Sequence, residues 1–263
     1  MDKLKKLEAI LKGMDSVLVA FSGGVDSTFL LRAAKDALGS KVLAVTAVSA
    51  TYPPEELILA RKLAKGFGVR HRIIRTGELK DKNFAANPVN RCYFCKKELF
   101  SRLKNVAREN KLNFVCDASN LSDKKDFRPG TLAKRELNVR SPLQEAGFSK
   151  HDIRLMSRKL GLAIWDKPSQ ACLASRIPYG NAILPDVLKR INQGEQYLRK
   201  LGFRQVRLRD QRNLCRIEVV KNDFLKLVKK GNLIVEKLKK LGYNYITFDL
   251  EGYRTGSFNE VIK

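Results

Sequence analysis

The run Ser22-Gly23-Gly24-Val25-Asp26-Ser27 joins a strand-like apolar stretch (16–21) to a helix-like one (28–34). Two adjacent glycines let the backbone turn tightly and bring its amides against an anion. The hydroxyls of Ser22, Ser27 and Thr28 add donors, and the helix that follows offers its positive end to phosphate. The spacing lacks the lysine of a Walker loop and does not fit a Gly-x-Gly-x-x-Gly dinucleotide turn. In this setting the hexapeptide reads as a nucleotide-binding loop, against the plainer alternative of a tight turn.

A second cluster, Arg91-Cys92-Tyr93-Phe94-Cys95-Lys96, places two thiols three residues apart at a helix start. A helix N-terminus and nearby cations favour the thiolate, which binds metal or attacks carbon and sulfur. The pair alone could be half of a zinc site, a redox pair or packed cysteines. Cys172 is the third candidate. A structural zinc wants four ligands. Cys116 ends a predicted strand, Cys215 lies in one, and His71 and His151 have no ligand-like neighbours. Three cysteines suit a 4Fe–4S cluster whose open iron takes a non-protein ligand such as sulfide.

The elements that must position these residues alternate through the first two-thirds of the chain. Strands are expected at 16–21, 41–48, 70–74 and 114–117, with helices at 28–34, 53–67, 95–110, 131–136 and 150–160. Repeated βα units imply a doubly wound, mostly parallel α/β sheet with ligands beyond the carboxyl ends of its strands. The loops 22–27, 47–51 and 117–123 all fall there. A shift near Ile177-Pro178-Tyr179-Gly180 divides the chain into domains 1–178 and 179–263. The second reads as a smaller α+β domain, with a helix from Pro185, alternating strands at 205–209 and 214–220, helix over 221–241 and a last strand at 243–248. Arg207 and Arg209 share one face of a strand, suited to a phosphate or to a solvated surface.

At 263 residues, with 44% hydrophobic and 8% aromatic residues, the chain is long enough for two domains and a buried core. The N-terminus lacks the apolar stretch of a signal peptide and no segment approaches membrane-span length, so a cytoplasmic protein without a membrane partner is expected. Five cysteines, clustered and odd in number, argue for metal or catalysis over disulfides. The net charge of +25, from 52 Lys and Arg against 27 Asp and Glu, attracts polyanions or phosphorylated ligands. It would equally suit an ordinary lysine-rich surface.

The hexapeptide resembles the pyrophosphate loop of the ATP pyrophosphatases (the PP-loop enzymes), which split ATP between its α and β phosphates. The resemblance widens with Tyr52-Pro53, Asn87-Pro88 followed by RCYFCKKELF, Arg128-Pro129-Gly130, Arg140-Ser141-Pro142-Leu143 and CLASRIPYG. It continues through Leu201-Gly202-Phe203, the Arg207/Arg209 strand and Asp249-Leu250-Glu251-Gly252-Tyr253. Across nearly its whole length the chain is similar to the LarE family, ATP-dependent sulfur transferases of nickel-pincer cofactor biosynthesis. The resemblance implies that ATP adenylates a carboxylate of a pyridinium dicarboxylate mononucleotide and that sulfur then displaces AMP. Some members sacrifice the sulfur of one cysteine, whereas three-cysteine members resemble cluster-dependent enzymes.

Carried over by motif, Ser22, Gly23, Gly24, Asp26, Ser27 and Thr28 would bind pyrophosphate with Mg²⁺. Ala20, Phe21, Ala47, Ser49 and Thr51 would line the adenosine pocket, and Asp117 would join the ATP set. Cys92, Cys95 and Cys172 would hold a 4Fe–4S cluster, Cys172 being alternatively a sacrificial donor. Asp26, Ser27 and Cys172 would carry the catalysis. Ser175, Glu195, Arg207, Arg209 and Glu218 match positions near the substrate phosphate and a metal. The resemblance implies a homo-oligomer and a sulfur donor of unknown identity. Related enzymes with the same loop thiolate tRNA, which stands as the alternative substrate.

Overall fold

A computed structural model describes residues 2–125 and 129–262. The chain forms two compact units, one of residues Met1–Glu78 and Asn90–Gln170, the other of Leu79–Val89 and Ala171–Lys263. The first unit is built on four parallel strands, β1 (Val17–Ala20), β2 (Val42–Val48), β3 (Arg70–Arg75) and β4 (Phe114–Cys116), ordered β3-β2-β1-β4. The order reverses between β1 and β4, so the loop after β1 opens at a switch point, where α/β sheets bind ligands.

Both faces of β1 are apolar, as a strand covered on both sides requires. Val17 and Val19 pack under helices Lys3–Met14 and Val25–Leu38, while Leu18 packs with Phe100 and Leu103 of helix Arg91–Glu109. This is the doubly wound α/β architecture expected. Beyond β4, among the described residues, the sheet gains only one parallel bridge, Cys116 to Arg140, because Pro142 starts a short helix two residues later. Ser149 and Asp152 form a reciprocal capping box that starts helix Lys150–Lys159.

In the second unit β5 (Val206–Gln211) and β6 (Leu214–Val219) form an antiparallel hairpin, and β7 (Tyr245–Phe248) lies parallel to β6. Helix Pro185–Lys200 packs on β5 so closely that a Cβ on Gly194 would sit 2.5 Å from Leu208 Cδ1. The helix expected over 221–241 is a 3₁₀ turn and two helices, Phe224–Lys229 and Gly231–Lys240, since Gly231 weakens helix continuity.

The units divide between Gln170 and Ala171, earlier than the boundary expected after residue 178, and Leu79–Val89 belongs to the second unit. Asn87 explains this assignment. It is fully buried at φ 56, and its Nδ2 donates to the carbonyls of Ile177 (3.3 Å), Pro178 (2.7 Å) and Asn181 (3.0 Å). Its own carbonyl accepts from Gly180 N–H. Asn87→Ala strands these buried carbonyls and puts alanine in a left-handed conformation, an expected loss of about 3 kcal/mol in denaturant unfolding of the full chain. Among the described residues no helix is long and apolar enough to cross a membrane.

Candidate active site

The loop after β1 is pinned at its base. Phe21 N–H donates to Val45 O (2.8 Å), and Thr46 Oγ1 donates to Phe21 O (2.7 Å) while sharing a 2.8 Å hydrogen bond with His71 Nε2. Gly23 then turns with φ 72, and a Cβ there would meet Ala60 at 3.3 Å, so glycine serves both the turn and the close approach. Gly24 caps helix Val25–Leu38 without a side-chain acceptor, leaving the first-turn amides able to bind an anion. Ser27 Oγ donates to Gly24 O (3.1 Å) and lies 3.1 Å from Ser22 Oγ. Thr28 Oγ1 is buried with no hydrogen-bond partner. An orphaned hydroxyl beside open amides fits a phosphate oxygen.

Both carboxylate oxygens of Asp26 lie 2.7 Å from Lys150 Nζ. Lys150 N–H donates to Ser122 Oγ (3.1 Å), tying the loop after β4 to the pyrophosphate-type loop. The loop after β2 joins from the other side, where Tyr52 OH donates to Ser22 O (2.9 Å). Burial, and then Glu56 and Glu55, push the Tyr52 phenol up, so it stays a donor. The hydroxyls of Ser49 and Thr51 both donate to Glu78, which is buried, the second at 2.7 Å. Ala20 and Ala47 end β1 and approach the end of β2. Asp117 accepts from Ser119 Oγ (2.6 Å) and Ser141 Oγ (2.5 Å), and Lys134 Nζ donates to Ser141 Oγ (2.8 Å). Lys150, Glu78, Lys134 and Ser141 were not among the residues expected from sequence. Lys150 carried a local signal in its place after the Ser149 cap, and Ser141 one in the Arg140-Ser141-Pro142-Leu143 run.

Cys92 and Cys95 occupy the first turn of helix Arg91–Glu109, Cys92 exposed and Cys95 half-buried. Gly130 abuts that turn, where a Cβ would lie 2.8 Å from Lys96 Cγ and 3.2 Å from Cys92 O. Arg128 of the same motif lies outside the described residues. Cys116 and Cys215 are buried, and burial pushes both thiols up, Cys215 to about 12. The accessible thiols are therefore Cys92 and Cys95 in the first unit and Cys172 in the second. Cysteine thiolates are the donor chemistry an iron–sulfur cluster takes. Among the described residues no group of three or more His, Cys, Asp or Glu is arranged to hold a metal ion.

The second unit holds a buried ionic cluster beside Cys172. Arg176 and Glu195 are both fully buried and paired through two hydrogen bonds of 2.8 and 2.9 Å. Arg176 Nη1 also donates to Ala171 O (2.7 Å), Cys172 O (3.0 Å) and Ser175 Oγ (3.0 Å), fixing the turn that carries the thiol. Arg209 pairs with Glu218 (2.8 and 2.7 Å), donates to Ser175 O (2.8 Å) and lies over the Phe258 ring. Arg207 lies over Tyr253. Ser175, Glu195, Arg207, Arg209 and Glu218 are thus gathered together, with Arg176 a member that sequence reasoning missed.

The alternative of a solvated arginine face is overturned, since Arg207 and Arg209 are only 4% and 5% exposed. Burial, then the neighbouring Arg176, lowers the Arg207 guanidinium to about 10. Burial alone would raise Glu195, but Arg176, Arg207 and Arg199 outweigh it and hold the carboxyl below its usual range. Arg199 and Arg216 add further contacts to Glu195 and Glu218. Guanidiniums outnumber carboxylates here, so the cluster suits an anion.

Residues 4–109 match the family model described as NAD synthase. The chain is 38% identical over 264 residues to the pyridinium-3,5-bisthiocarboxylic acid mononucleotide synthase of Lactiplantibacillus plantarum, covering 99% of this chain and 95% of that protein. An uncharacterized protein of Synechocystis is 44% identical over 262 residues, covering 99% of this chain and 98% of its own length. Another, of Methanocaldococcus jannaschii, is 29% identical over 259 residues, covering 96% and 98%.

Proposed function

Since the chain belongs to the LarE family of ATP-dependent sulfur transferases, we propose that it adenylates a carboxylate of a pyridinium dicarboxylate mononucleotide and replaces AMP with sulfur. The observation that carries the ATP step is the open helix end at Gly24 with the unpartnered Thr28 hydroxyl beneath it. The amides of Gly23, Val25, Asp26 and Ser27 would bind the β and γ phosphates, Lys150 would neutralise the leaving pyrophosphate, and Asp26 would hold Mg²⁺. A substrate carboxylate oxygen attacks the α phosphorus, the bond to the bridging oxygen breaks, and pyrophosphate leaves. Sulfide sulfur then attacks the acyl carbon, and AMP departs with the electron pair of the broken C–O bond. Arg207 and Arg209 would hold the substrate phosphate, with Ser175, Glu195 and Glu218 setting their positions.

Cys92, Cys95 and Cys172 would hold a 4Fe–4S cluster, which supplies an exchangeable sulfide when bound. Turnover with the pyridinium nucleotide should yield AMP and pyrophosphate, and orthophosphate as the sole inorganic product would overturn the assignment. Anaerobically purified protein should carry about four irons per chain and lose them in Cys92→Ala, Cys95→Ala and Cys172→Ala alike. Stoichiometric zinc, or dehydroalanine at residue 172 after turnover, would sink the cluster and point to a sacrificial cysteine. The charge of +25 favours one rival substrate, tRNA. Tight tRNA binding with a steep salt dependence would support that rival.

A further inference from the structure

The second unit contains a cavity of about 340 Å³ between the loop at 177–184, the start of helix Pro185–Lys200 and the tip of the β5–β6 hairpin. Asp210, at its base, shares a face of β5 with Leu208 and not with Arg207 and Arg209, because side chains alternate along a strand. The cavity is therefore distinct from the ionic cluster described above. Its size falls at the small end of ligand sites.

Charge around the cavity rim is unevenly balanced. Asp210 is nearly buried and accepts from Arg190 Nε (2.7 Å), Tyr243 OH (2.8 Å) and Arg212 N–H (3.1 Å). Arg190 thus cancels Asp210, and its Nη2 donates to Arg212 O (2.9 Å). Arg212, exposed at the cavity rim, makes no side-chain hydrogen bond or ion pair among the described residues. One uncompensated cation remains. Around it stand the apolar side chains of Ile177, Leu184 and Val187.

The backbone makes the arginine more notable. Arg212 sits in the two-residue hairpin connection with φ 64, where glycine, asparagine or aspartate is favoured. An arginine there costs about 1 kcal/mol relative to those residues. Strain of this kind is held where a side chain has work to do. We propose that this cavity binds a small organic carboxylate, its oxyanion on Arg212 and its apolar body against Ile177, Leu184 and Val187. This site is independent of the sulfur-transfer reading.

Calorimetric titration of the full-length protein with benzoate tests it. Wild type should bind benzoate saturably at one site. Arg212→Asn should weaken binding by about tenfold or more, the loss of one charge-assisted hydrogen bond, without lowering Tm, because asparagine tolerates the left-handed conformation. Leu184→Glu, at an exposed position before Pro185, should abolish binding by placing a carboxylate at the mouth. No saturable binding, or binding untouched by both variants, would overturn the proposal. Inorganic phosphate binding as tightly as benzoate would overturn the assignment of an organic body.

Discussion

Asp26→Asn should slow pyrophosphate release by about 10²–10³-fold while leaving the thermal transition nearly unchanged. The split follows from geometry. The Asp26–Lys150 contact is 2.7 Å long but partly exposed, so its loss costs below about 1 kcal/mol of stability. In the proposed reaction the same carboxylate, in the first turn after Gly24, would lie beside the charge that develops on the leaving pyrophosphate. A neutral amide holds neither Mg²⁺ nor Lys150 in the required orientation. The check is a pyrophosphate assay paired with calorimetry on one preparation. An equal fall in activity and Tm would assign Asp26 a merely structural part.

The second large effect lies in stability. Glu195→Ala leaves Arg176 fully buried without its counter-charge and removes the acceptor of Leu208 N–H (3.1 Å). Breaking a buried pair from one side costs about 3–5 kcal/mol. Denaturant unfolding of the full chain should show this loss. The pH dependence has a defined sign. Glu195 titrates below its unfolded value, so its stabilisation is fully present above the ordinary carboxylate range and is lost as pH falls through the depressed folded value. In Glu195→Gln that acid-limb dependence should shrink, and an unchanged acid limb would show that other groups control it.

The four-stranded architecture was legible because β1 and β2 are continuous apolar runs and the glycine pair interrupts them in a unique place. Local patterns of this kind survive folding. What stayed hidden depends on distance along the chain. Lys150 reaches Asp26 across 124 residues, and no short-range pattern announces that pairing. Glu78 and Arg176 look like surface charges in sequence and prove to be buried, one by two hydroxyls, the other by Glu195 and three backbone or hydroxyl acceptors. The strand at 205–209 was read by its alternation, but alternation cannot tell a solvated face from one sealed by Tyr253 and Phe258. The break at Lys230–Gly231 is masked in sequence because the flanking lysines and leucines are strong helix formers.

The Leu79–Val89 segment has a consequence for how the protein is made. A ribosome delivers residue 87 long before residues 177–181, the carbonyls it must satisfy, and their separation is 90 residues for Ile177. Until then the segment lacks most of the unit it belongs to. Closing so long a loop carries an entropic cost that local elements do not bear, and it places completion of the second unit late in folding. Nor can either unit be excised by a single cut. A fragment ending at Gln170 keeps Asn87 but discards most of the unit it belongs to, and the fragment from Ala171 begins without it.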